Sequence, residues 1–327
     1  AVDMLAEVAG QLKSAMTARL KVLLPEVAPL LRCALAPSGS RERALLVRLG
    51  WELRKPVGDH LLPAMVAIEM VQFSTLVIDD WLDGSSQRGG LPSVASEFGS
   101  AAAAVSGELL SASAIQALLD VPVQETSGSE ALIGCVRVLE EARIHVYEGQ
   151  WLDLSYEQTD CITEQQYFEM IALTTGRLTE AALLLGAILR GADRYEVEIL
   201  SRFGRLFGTA LQLRNDLCDL IGSPELIGRN VGEDLLRGKK RLPWIHAMTV
   251  GPENLRESIR RVFGKGSASN GEIASAVAAL RAAGSIDYCM KHLSRLRDEG
   301  LEALDAIPDV PAKRALRGLM DIVAHSW

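Results

Sequence analysis

The chain has 327 residues, 48% hydrophobic and 23% charged, so it can bury a large core and is neither disordered nor collagen-like. Lys plus Arg number 34 against 42 Asp plus Glu, a formal charge of −8, which argues against a nucleic-acid partner. Five widely spaced cysteines without a C-x-x-C pair read as reduced core residues of a cytoplasmic protein.

The N-terminus shows no basic stretch followed by an apolar run, and no uninterrupted apolar stretch reaches ~18 residues, so neither a leader nor a transmembrane segment is expected. Leu5, Val8, Leu12, Met16 and Leu20 open an amphipathic helix, and the same spacing recurs along most of the chain. Breaks at Pro25–Pro29, Ala36–Ser40, Pro56–Asp59, Gly84–Pro92, Val121–Ser129, Gly191–Ala192, Gly222–Gly238, Gly251–Pro252 and Gly264–Gly271 leave roughly ten helices. No Pro/Ser-rich linker divides them, so residues 1–327 are expected to form a single all-α domain. Met65–Trp81 and Ala181–Leu189 are apolar almost all round, as helices in the middle of a bundle are.

The first of these helices runs directly into Asp79-Asp80-Trp81-Leu82-Asp83. Asp79 and Asp83 stand about one turn apart on one face, and two carboxylates so placed repel unless a hard cation joins them. A second cluster, Asn215-Asp216-Leu217-Cys218-Asp219, follows the apolar run Phe203–Leu213 with the same spacing. Two such faces opposed across a bundle would form a multi-Mg²⁺ cage from Asp79, Asp80, Asp83, Asn215, Asp216 and Asp219. Each cluster precedes a Gly-rich basic segment, first around Arg88-Gly89-Gly90, then Gly228-Arg229 and Gly238-Lys239-Lys240-Arg241. Cationic loops beside a metal cage suit a diphosphate, and the absence of a P-loop argues against a nucleotide.

With these residues in order, the chain resembles the trans-prenyltransferases, the isoprenyl diphosphate synthase family. The first aspartate-rich motif and its Arg-Arg-Gly-x-Pro resemble Asp79 to Asp83 and Arg88-Gly89-Gly90-Leu91-Pro92. The second resembles Leu211-Gln212-Leu213-Arg214-Asn215-Asp216-Leu217-Cys218-Asp219, and the two later Gly-Lys pairs resemble Gly228-Arg229 and Gly238-Lys239. The resemblance implies an isoprenoid-synthase-type helical bundle around a deep central pocket, two or three Mg²⁺ ions, an allylic prenyl diphosphate donor of C10 or longer, and a homodimer. It implies Asp79, Asp83, Arg88 and Lys239 as the catalytic set, with Arg229 also on the diphosphate. Gln150 lies in a Gly-Gln-x-x-Asp segment of the family, Gly149 to Asp153, that faces the pocket. Gln212 and Thr175 fall at substrate-binding positions, and Ser74 and Thr75 fall where the family stops a growing chain.

Departures from the family direct the expected acceptor. The isopentenyl diphosphate site uses a Gly-Lys-x-x-Arg segment, here Gly39-Ser40-Arg41-Glu42-Arg43, a residue upstream of the first motif, here Gln72, and the second Arg of Arg-Arg, here Gly89. Ser40 and Gly89 remove two cations, and Thr174 removes a third from the allylic side, where the family has Lys-Thr. Charged hydrogen bonds contribute roughly 1.5–3 kcal/mol each, so the expectation is a second acceptor other than isopentenyl diphosphate, such as a lipid-like phosphoglycolipid. The moenomycin-pathway branch of the family, whose acceptor is of that kind, suits a chain with 26 Arg against 8 Lys. The alternative is a chain-elongating synthase in which Arg41, Arg43 and Lys55 replace the missing cations. A class I terpene cyclase and a non-catalytic partner subunit are weaker readings, because Asp219 and Ser223 do not fit a cyclase motif and the first acidic motif is intact. Trp81 and Trp151 are read as packing residues, or less simply as pocket-lining π faces.

Overall fold

The computed structural model describes residues 2–20, 24–37, 39–222 and 231–325, so Arg229 lies outside the described residues. Among them are sixteen α-helical segments and a two-residue β-ribbon, which makes the chain all-α as expected. The helices exceed the roughly ten read from the breaks. A short helix, α11 (Glu233–Arg237), forms inside Gly222–Gly238, which was read as a break, and α5 (Val94–Phe98) is set off from the next helix at Gly99, φ 89°. A further break after α7 (Ser129–Glu157) carries neither Gly nor Pro. There α8 (Glu164–Ile171) begins on a capping box, with Thr163 accepting from the Gln166 backbone N–H while the Gln166 side chain accepts from that of Thr163.

The two all-round apolar segments lie at the centre. Helix α4 (Leu62–Leu82) packs chiefly against α6 (Ser100–Leu119), and α9 (Arg177–Leu189) packs against α3 (Glu42–Glu52), α7 and α10 (Arg194–Ile221). One continuous apolar cluster runs from Val8 in α1 (Val2–Leu20) to Val323 in the last helix, Pro311–His325. Three helical stretches, Asp59–Leu82, Ser100–Leu119 and Glu164–Leu189, are long and apolar enough by composition to cross a membrane, contrary to the reading from uninterrupted runs. Their apolar windows are 67%, 50% and 72% buried inside the bundle, so half or more of each is already covered by protein. Cys33, Cys135, Cys161 and Cys289 are free thiols.

Helices α3 and α9 cross at touching distance because glycines meet there. A Cβ on Gly186 would stand 1.9 Å from the Val47 carbonyl oxygen, and one on Gly50 would stand 2.2 Å from that of Leu183. Separating these backbones would shift α9, which continues directly from the turn at Ala172–Gly176. Gly186→Ala is therefore expected to cost about 3 kcal/mol, the upper range for overpacking, read as a lower urea midpoint; an unchanged midpoint would contradict the close crossing.

Candidate active site

A cavity of 680 Å³ opens between the C-terminal half of α4, α7 and the end of α10, roofed by α11. Its apolar wall includes Phe73, Leu76, Val146, Met170, Ile171 and Leu211, while charged groups gather at the other side. Nine carboxylates and six arginines line it, an excess of negative charge that would repel a diphosphate unless further cations were added.

The first acidic motif ends α4. Asp79, Asp80 and Asp83 all reach the cavity wall, as one helical turn requires. Arg88 forks onto Asp80, with Nε donating to Oδ2 at 2.7 Å and Nη2 to Oδ1 at 2.6 Å, and Nη2 reaches Asp79 Oδ2 at 3.1 Å. It is held there by the ribbon of β1 (Gln87–Arg88) and β2 (Leu91–Pro92), which pairs Arg88 with Leu91. Gly89 and Gly90 close the ribbon at φ 58° and 76°, the left-handed pair of a type I′ turn. That geometry gives a physical reason for glycine where the family has its second Arg.

Lys239 is 2% exposed and lies behind the wall. Its ammonium sits 2.8 Å from Asp83 Oδ1, 2.7 Å from Asp153 Oδ2 and 2.6 Å from Glu157 Oε1. Carboxylate oxygens of these three residues lie within 4.8 Å of one another, a spacing that also suits a metal ion. Here the ammonium is the cation among them. Burial works against the charged lysine, but Asp153 and Asp83 hold its pKa above the ordinary value. Arg241 continues the ladder, donating to Asp153 Oδ1 at 2.8 Å and to Asp234 Oδ2 at 3.2 Å, with Nε 3.9 Å from Asp216 Oδ1.

The second motif is arranged differently. Asn215 and Asp216 reach the cavity, whereas Asp219 is fully buried, off the wall, and accepts from the Asp234 backbone N–H at 3.2 Å. Asp216 accepts from Tyr167 Oη at 2.7 Å and from Gln212 Nε2 at 2.8 Å, and Gln212 Oε1 accepts from Thr175 at 2.8 Å. Thr174 and Thr175 enter the wall through a π turn at Ala172–Gly176, where Gly149 of α7 allows close approach.

Arg41, Arg43, Gln72, Thr75 and Gln150 all line the cavity. Ser74 is buried off the wall, and Met70 and Val71 beside it are core residues rather than cavity floor. Trp151 is 69% exposed on the outside of α7, and Trp81 packs half-buried against the core, so neither lines the pocket. Arg237, Asp234, Glu69 and Tyr167 belong to the site although no motif singled them out, and Arg241 was placed only within the basic segment beside the cage. For the two arginines the signal was present in a basic segment flanking Gly238-Lys239; for Tyr167 there was none.

The chain belongs to the polyprenyl synthetase family, whose pattern matches residues 25–280. It is 35% identical over 286 residues to geranylgeranyl diphosphate synthase of Methanosarcina mazei, covering 86% of this chain and 84% of that one. It is 32% identical over 292 residues to octaprenyl diphosphate synthase of Escherichia coli, covering 88% and 86%. The crystal structure of geranylgeranyl pyrophosphate synthetase from Pyrococcus horikoshii superposes with a TM-score of 0.90 at 26% identity, over 99% of both chains. The all-α isoprenoid-synthase fold and a prenyltransferase activity follow from this membership.

The first motif fits the hard divalent cation that the family uses. It offers only oxygen donors, and Asp79, with about a third of its side chain exposed (34%), opens toward the cavity. Burial, then the charge of Asp83, pushes the Asp79 carboxyl up to about 6 from the usual 3.8. A raised carboxyl contributes stability that is complete below the unfolded value and is lost as pH rises through about 6. Metal-free protein carrying Asp79→Asn should therefore melt about 2–4 °C higher at pH 7.5, a gain kept small by solvent screening. The difference should vanish near pH 4, and a lower melting temperature at pH 7.5 would contradict the strained carboxylate.

Proposed function

We propose that the protein is a chain-elongating trans-isoprenyl diphosphate synthase that condenses an allylic diphosphate of C10 or longer with isopentenyl diphosphate. The sequence departures pointed to another acceptor, but the relatives are diphosphate synthases and the geometry supplies a reason to follow them. The observation that carries the reading is the placement of Arg41. It is the sole non-glycine residue with positive φ, 57°, among the described residues, and this strained conformation coexists with a guanidinium 4.6 Å above the Phe73 ring and 3.3 Å from Glu69 Oε2. Beside it stands Arg43, whose Nε is buried without a partner, so two guanidinium groups and Gln72 share the wall where Ser40 would have been a lysine. Lys55, the third replacement considered, stacks 5.2 Å from the Trp51 ring and is not on the wall.

In this reading the allylic C1–O bond breaks and pyrophosphate leaves. The isopentenyl double bond then attacks C1, a C–C bond forms, and the resulting cation loses a proton to the released pyrophosphate. Asp79 and Asp83, with Asp80 in support, would hold Mg²⁺, which would supply charge that stabilises the leaving group. Arg88 and Lys239 fix those carboxylates, with Arg229 assigned to the diphosphate by the family pattern. Phe73, Leu76, Val146 and Met170 exclude water from the cationic chain. Thr75, Gln150, Thr175 and Gln212 line the path, and Ser74 supports it from behind.

One cytoplasmic domain of 1–327 and a homodimer complete the proposal. Ile133, Ile144, Tyr147 and Trp151 of α7 leave an apolar stripe in solvent beside Val105 of α6, and a second copy would cover it. Light scattering should return twice the chain mass; the monomer mass would remove the dimer. For the activity, allylic diphosphates from C10 to C20 with isopentenyl diphosphate and Mg²⁺ should give longer diphosphates by mass spectrometry. Arg41→Ala should raise KM for isopentenyl diphosphate by about tenfold, one charged hydrogen bond, and leave that of the allylic donor within twofold. Slow donor hydrolysis indifferent to isopentenyl diphosphate would instead restore the other-acceptor reading.

A further inference from the structure

The second acidic motif offers a poor seat for a divalent ion. Asn215 brings an amide in place of the carboxylate, and its Oδ1 accepts from Arg214 Nη2 at 3.0 Å. Both oxygens of Asp216 are engaged, by Tyr167 at 2.7 Å and Gln212 at 2.8 Å. Asp219 is off the cavity and holds the start of α11. What the motif does possess is a fixed cation. Arg241 reaches the cavity wall with carboxylates of α7, α10 and α11 around it, Asp153 at 2.8 Å, Asp234 at 3.2 Å and Asp216 at 3.9 Å. Its charge is held high by those three acids against the effect of burial.

We propose that Arg241 is the built-in cation of the second motif, taking the place of a magnesium ion there, so that divalent metal is confined to Asp79 and Asp83. A hard dication needs anionic oxygen with open lone pairs: Asp79 engages Arg88 through Oδ2 alone, at 3.1 Å, whereas both oxygens of Asp216 are taken and Arg241 stands 3.9 Å from one of them. Moving Arg241 aside would strip Asp153 and Asp234 of a partner at the edge of the core, which disfavours an exchange of one cation for the other. The inference rests on the metal reading of the first motif, and its test separates the two.

Mn²⁺ bound per chain would be counted by electron paramagnetic resonance in excess inorganic pyrophosphate. Asp216→Asn, which keeps the shape of the side chain, should leave the count and the affinity within twofold of the parent; loss of one ion would overturn the proposal. Arg241→Gln combined with Asn215→Asp, checked for folding by circular dichroism, should bind one ion more than the parent. An equal count in the folded double variant would also overturn it. Asp79→Asn should lose at least one ion, and if it loses none the first-motif reading fails and the proposal fails with it.

Discussion

A single buried ammonium ties the site together. Lys239 lies among Asp83 from α4 and Asp153 and Glu157 from α7, all within 2.8 Å, and it follows directly on the short helix that roofs the cavity. Asp153 then hands the connection to Arg241, which reaches Asp234 and Asp216. The two acidic motifs, more than a hundred residues apart in the chain, are thus held at one cavity by alternating charges. Although burial pushes it up, Arg241 and Lys239 hold Asp153 below the usual carboxylate range, which keeps the ladder ionised.

The remaining features follow from how this charge is distributed. Carboxylates exceed arginines on the wall, and the imbalance is felt at Asp79, which burial and the neighbouring charge of Asp83 push up together. Cations from solution therefore have a reason to enter at the first motif. At the second, neutral donors and a guanidinium already answer the acid. The apolar wall serves the other half of the substrate, since Val146, Met170 and Leu76 offer a hydrocarbon chain contact and no water.

Much of this was legible in the residues. The all-round apolar segments marked α4 and α9 as central helices, and the i, i+4 acids marked where α4 meets the cavity. Ser40 and Gly89 were read as lost cations because residue type was compared position by position. Backbone conformation was invisible to that comparison: Arg41 turns through positive φ, and Gly89 serves a turn. The pairing of Asp216 with Tyr167 and the ladder through Arg241 depend on contacts between distant helices, for which the sequence carries no local signal. Helices such as α5 and α11 were missed because their five residues are too few for a periodic pattern.

The site depends on the Lys239 ammonium, and Lys239→Met removes the charge while keeping much of the stem. Three carboxylates left facing one another should cost about 3–5 kcal/mol at pH 8, as breaking a buried ion pair does. Urea denaturation at pH 8 and at pH 5 would show it, because protonation at the lower pH relieves the repulsion and should recover part of the loss. A variant as stable as the parent at pH 8, or equally weakened at both values, would mean that Lys239 fills space rather than holding the site together.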